Sequence, residues 1–64
     1  MLSYSVGQDV VCIDDNYGLK FGKTYKIKFI VASDSGLAFF FYGQDLFYSV
    51  YLFIPLQYYN YITE

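Results

Sequence analysis

Histidine, arginine and tryptophan are absent from this 64-residue chain, and cysteine and proline each occur once. Each scarcity excludes something. With no histidine, no side chain has an ordinary pKa suited to general acid–base work near neutral pH. The single thiol, Cys12, cannot close an intramolecular disulfide, nor can it assemble a four-ligand zinc site alone. Four lysines and a net charge of -2 offer little to a long phosphate backbone. Charged residues make up 16% of the chain, against roughly 25% in ordinary domains. No catalytic residues, cofactor or metal are therefore expected, and no long nucleic acid is expected as a partner.

What the chain has instead is rings. Nine Tyr and seven Phe bring aromatic residues to 25%, and hydrophobic residues reach 56%. A domain this short has one small core, so its stability rests on packing or on self-association. A barrel of this length offers about ten to fifteen inward positions, from strand alternation. Rings and aliphatic side chains together exceed that number. The surplus is expected outside, where apolar patches mark contact surfaces.

The spacing of turn residues is that of short strands. Asp9–Asp14 is an apolar run bounded by acids, the signature of a strand covered on both sides. Asp15-Asn16-Tyr17-Gly18 and Gly22-Lys23 are turn chemistry. Thr24–Ala32 follows as the clearest strand, with Tyr25, Ile27, Phe29 and Val31 on one face and Thr24, Lys26, Lys28 and Ile30 on the other. Ser33-Asp34-Ser35-Gly36 predicts a hairpin into a strand over Leu37–Tyr42, which is apolar on both faces. Leu46–Ile54 reads as a further strand ended by Pro55. The tail 57–64, rich in tyrosine, can add an edge strand, and no segment of useful length has helical periodicity. The expectation is one all-β domain, a small barrel of about five short antiparallel strands.

From Leu46 to Thr63 no residue is charged, a span about long enough to cross a bilayer as a helix. Pro55, Gln57, Asn60 and the tyrosines, with no basic flank, argue against a membrane span. The opening MLSYSVGQDV turns polar within a few residues, unlike a secretory leader, and a lone cysteine suits a reducing compartment.

The stretch Val6-Gly7-Gln8-Asp9-Val10-Val11-Cys12-Ile13-Asp14-Asp15 resembles the start of small SH3-like proteins encoded by bacteriophages and prophages. Leu19-Lys20-Phe21-Gly22-Lys23-Thr24-Tyr25-Lys26-Ile27 matches their L-x-x-G-K-x-Y-x-I element. Gly36-Leu37 fits their glycine-led third strand, and Tyr48-Ser49 through Phe53-Ile54-Pro55-Leu56 is similar to their closing Y-x-x-x-x-F-x-P-L. The blocks keep order and compatible spacing over residues 6–56. The resemblance implies a phage origin, an SH3-like barrel, no enzymatic activity and the cytoplasm of the bacterial host cell as location. It supplies no catalytic residues. The chain departs from that pattern by placing Leu52 and Ile54 where a charge is common, and rings where Phe39, Phe40 and Phe41 replace polar residues. A tyrosine-rich tail also extends past the P-L.

Two sets of candidate residues emerge. Lys26 and Lys28 on one strand, with Lys20 and Lys23 nearby, are the only concentration of positive charge. They read either as a solvated face or, with Tyr25, as an anion site in which Lys23, Lys26 and Lys28 meet phosphate and a tyrosine stacks on a base. The aromatic set from Phe39 to Tyr61 divides by alternation between core and surface. Its outward half is expected to include Phe40, Tyr42, Tyr51, Leu52, Ile54, Tyr58, Tyr59 and Tyr61 as an interface. Cys12, between Val11 and Ile13, reads as an inert buried thiol, and Asp14-Asp15 as the end of a strand rather than a cation site. Three functions fit: a homo-oligomer that binds a host protein to counter a defence system; a sponge for a host signalling nucleotide at subunit boundaries; and, third, a binder of single-stranded nucleic acid.

Overall fold

A computed structural model describes residues 3–34 and 36–63. The chain runs through β1 (Asp9–Cys12), a one-turn 3-10 helix (Asn16–Gly18), β2 (Thr24–Ser33), β3 (Gly36–Phe41) and β4 (Phe47–Ser49). A second 3-10 turn (Val50–Leu52), β5 (Phe53–Pro55) and a C-terminal helix, α1 (Leu56–Thr63), complete it. All strand pairs are antiparallel, in the order β4-β3-β2-β1-β5.

β2 joins the two halves of the sheet. Its first three residues pair with β1 and Ile27–Ser33 pair with β3. Between them lies a β-bulge: Ile27 faces Phe41, and the next pair is Phe29 with Phe40. Lys28 is the extra residue. A bulge bends the strand and resets its alternation. Tyr25 and Ile27 point into the core, but after Lys28 the inward residue is Ile30, and Phe29 is exposed. The simple alternation that puts Phe29 with Tyr25 and Ile27 fails at this bulge.

The core is mostly aromatic. Phe39, Phe41 and Phe53 are fully enclosed, with Tyr25, Tyr48, Val10, Cys12, Leu19 and Ile27 around them. Phe53 from β5 meets Phe41 edge-on at 4.8 Å between ring centroids, and Tyr4 meets Phe39 at 4.9 Å. Val10, Val11 and Cys12 are all inaccessible to solvent, so β1 is covered on both faces as its sequence predicts. Val10 and Cys12 face the aromatic cluster. Val11 points the other way, toward the side on which α1 packs on β1 and β5.

Three expectations are corrected. The sheet does not close into a barrel; β4 and β5 are its two edges and no ladder joins them among the described residues. These strands are three residues long and run on through a 3-10 turn, so they cannot fold back on each other. The stretch read as one strand over Leu46–Ile54 is therefore two, broken where Ser49 Oγ accepts a hydrogen bond from the Tyr51 amide. The tail is a helix rather than an edge strand. Leu56 and Tyr59, three apart, form its half-buried side, whereas Tyr58, Tyr61 and Ile62 face solvent. Apolar residues on both sides of α1 conceal its period in the sequence. Glu64 and Ser35 lie outside the described residues.

Tyr59 of α1 reaches one glycine closely. Gly22 has φ +81°, and a Cβ there would lie 3.1 Å from the Tyr59 hydroxyl oxygen. Only glycine combines that conformation with so close an approach.

Because Phe53 touches rings from β2, β3 and β4, Phe53→Ala is expected to cost about 3–5 kcal/mol, most of the stability of so small a domain. Phe29→Ser is expected to change stability by less than about 0.5 kcal/mol, as for other exposed positions. Urea denaturation followed by circular dichroism measures both, and equal losses would contradict the bulge-shifted register.

Candidate functional site

Of the sixteen rings, Tyr25, Phe39, Phe41, Tyr48 and Phe53 are buried and Tyr4, Phe40 and Tyr59 are half-buried. The other eight are exposed. Seven of them lie on three surfaces, the first two of which share Phe47, and Phe21 is exposed in the turn before β2.

The first is the outer face of β2, β3 and β4. Phe29 pairs with Phe40 and Phe40 with Phe47, so three rings form a row across the strands. Phe40 and Phe47 stand 5.5 Å apart between centroids, and Phe29 and Phe47 are 56% and 59% exposed. Val31 and Ala38 form a second, smaller apolar pair beside them. At one end, the Lys28 ammonium lies 5.6 Å from the Phe29 centroid and 5.8 Å from that of Tyr42. The bulge puts Lys28 and Phe29 together on this face.

The second surface flanks the second 3-10 turn. On one side is an open apolar groove of about 610 Å³, with Phe53 at its base and Tyr4, Ile13, Leu37, Val50, Tyr51 and Ile54 along it. Partial burial pushes the Tyr4 hydroxyl above its ordinary pKa. Tyr51 is 77% exposed at the rim. On the other side, Tyr17, Leu46, Phe47, Tyr48 and Leu52 line a hollow of about 410 Å³. Both grooves have apolar walls with few polar groups, the character of sites for apolar side chains. The Ile13 amide donates to the Leu52 carbonyl at 2.9 Å and ties the loop after β1 to this turn.

The third is the free side of α1, where Tyr61 is the most exposed ring in the protein. The interface residues expected from sequence are thus divided. Phe40 and Tyr42 belong to the first surface, Tyr51, Leu52 and Ile54 to the second, and Tyr58 and Tyr61 to the third. Leu52 also packs on the core, and Tyr59 turns inward toward Gly22. Phe29, Phe47 and Tyr17 were missed. For Phe29 the hidden cause is the bulge; Tyr17 occupies a left-handed loop conformation at φ 63°.

The lysine cluster does not converge. Lys26 forms an ion pair with Asp9 at 3.2 Å and donates to the Gly7 carbonyl at 3.3 Å. This pair is solvent-exposed and contributes at most about 1 kcal/mol. Lys23 lies 5.3 Å over the Tyr25 ring. Tyr25 itself is only 7% exposed, with Phe41 and Phe53 against it, so a base cannot stack there without displacing the core. Tyr25 is withdrawn as a ligand residue; of the set, only Lys28 stands beside exposed rings.

Cys12 is buried and its thiol donates to the Asp14 carbonyl at 2.7 Å. Asp14 Oδ1 accepts from the Asn16 amide at 3.1 Å and from its side chain, capping the turn that follows β1. No helix among the described residues is long and apolar enough to cross a membrane. Comparison with family models, curated proteins and solved structures returns no match.

Proposed function

We propose that this chain is a non-catalytic binding domain of bacteriophage type, which self-associates and engages a host protein through its exposed aromatic surfaces. One observation carries the reading: half of the rings lie outside the core, grouped on surfaces with almost no charge. Exposing that much apolar area costs free energy unless another molecule covers it, at about 25 cal/mol per Å². Aromatic, charge-poor patches are also the usual centres of protein interfaces. The groove beside the second 3-10 turn suits an apolar segment of a partner.

The fold is read as an open SH3-like arrangement. In support, β1 lies between β2 and the last strand, and a 3-10 turn leads into that strand. The resemblance over residues 6–56 supports the cytoplasm of an infected bacterium as the location and a host defence factor as the partner class. Light scattering coupled to size-exclusion chromatography, over a wide concentration range, is expected to give a mass above one chain that rises with concentration. A single-chain mass at the highest concentration contradicts self-association.

A second reading, sequestration of a host signalling nucleotide, has one specific observation in its favour: a lysine ammonium beside two exposed rings at Lys28, Phe29 and Tyr42. Phosphate on the lysine and a base on Tyr42 would satisfy it. Thermal-shift measurements with mono- and cyclic nucleotides would then show stabilisation that Lys28→Glu abolishes. No shift with any nucleotide removes this reading and leaves the first.

A further inference from the structure

α1 lacks the features that hold a helix on its own. It has eight residues, and isolated helices below about 12–15 residues are marginal in water. None of its residues is charged, so it has no ion pair between successive turns and no charge at either end to complement its dipole. From Tyr58 to Thr63 every residue is a tyrosine, asparagine, isoleucine or threonine, all in the weaker tier of helix formers. The helix therefore owes its existence to docking on β1 and β5. That docking is slight. Leu56 and Tyr59 are half-buried, and residues 57, 58 and 60–62 are exposed.

The strand beneath is held quite differently. β1 is bonded on one side to β2 and on the other to β5, and Val10 and Cys12 are locked into the aromatic cluster. Val11 lies between them with no exposure to solvent, outside that cluster and on the side where α1 packs. A weakly anchored helix thus covers a firmly anchored strand. We propose that α1 is a strap that opens and closes over the outer side of β1 and β5 while the sheet stays folded. Openings of this kind occur in elements with few buried contacts, at a free energy below that of complete unfolding.

Opening changes what the molecule presents. It uncovers Val11 on the outer side of the sheet, the side that already carries Phe29, Phe40 and Phe47 on β2, β3 and β4. It also frees the inner side chains of the strap, Leu56 and Tyr59. The open state therefore offers more apolar surface than the closed one, and a ligand that binds that surface shifts the population toward it. The device depends on neither self-association nor a host partner, since it is set by how one chain packs.

The test compares two adjacent positions of β1 that face opposite sides, in the full chain and in dilute solution. Cys12 faces the core, so labelling of its thiol reports opening of the core. Val11→Cys adds a thiol under α1 in the same chain, so any general loss of stability acts on both, and tandem mass spectrometry tells the two labels apart. With each rate referred to that of the same chain in urea, position 11 is expected to label at least about tenfold faster than Cys12. Adding Tyr59→Ala is expected to speed labelling at position 11 further and to leave Cys12 unchanged. Amide exchange of the wild type gives a readout without substitution: the Asn60, Tyr61 and Ile62 amides are expected to exchange well before those of β1 and β2, with little dependence on urea. If Val11→Cys fails to fold, amide exchange decides. Equal labelling at the two positions, an equal response of both to Tyr59→Ala, or α1 amides that exchange together with the sheet overturns the strap and leaves the binding reading in place.

Discussion

Phe53 holds the two halves of the molecule together. It sits on a three-residue strand at one edge of the sheet, yet its ring meets Tyr25 at 5.9 Å, Phe39 at 6.0 Å, Phe41 at 4.8 Å and Tyr48 at 6.4 Å between centroids. Those partners come from β2, β3 and β4. The sheet is not closed by hydrogen bonds, so this ring cluster does what a ladder between β4 and β5 would otherwise do. Aromatic contacts of this type are worth about 0.5–1.5 kcal/mol each beyond the area they bury. A chain with no disulfide and no described group of three metal-ligating side chains depends on them.

The same cluster sets what remains outside. An interior filled by five rings and a few aliphatic side chains has no room for more, and close-packed cores do not expand to take extra volume. The bulge at Lys28 then decides which rings stay out. It turns Phe29 toward solvent opposite Phe40, so an outer aromatic row forms where simple alternation would have buried a ring. Beyond that bulge, β3 is the only strand beside β2 among the described residues. Core capacity and the aromatic face are thus two results of one packing arrangement.

Much of this was legible in the sequence. Strands β1, β2 and β3 follow from the apolar run at Asp9–Asp14, of which β1 takes Asp9–Cys12, the alternation after Thr24 and the hairpin residues before Gly36. Coverage of β1 on both faces follows from its lack of any polar residue between its flanking acids. The excess of rings over core positions was also visible from composition. What was hidden depends on phase and tertiary contact. One extra residue at Lys28 inverts every later position of β2, and no residue type there announces it. Ser49 caps a 3-10 turn inside what reads as a continuous strand. Helix α1 is stabilised by docking on β1 and β5, and Tyr58, Tyr61 and Ile62 on its free side erase the amphipathic pattern. The lysines are close in sequence, but Asp9 engages Lys26 and the core encloses Tyr25, so the expected anion site is dispersed.

The central claim is a division of the rings between a filled interior and a free surface. Photochemically induced nuclear polarisation of the tyrosines, in dilute solution, tests it most directly because a dye molecule must reach each ring. Tyr17, Tyr51, Tyr58 and Tyr61 are expected to give strong signals, while Tyr25 and Tyr48 give none. Signals from Tyr25 and Tyr48 comparable to the others, or silence from all the tyrosines in a single-chain species, would contradict it.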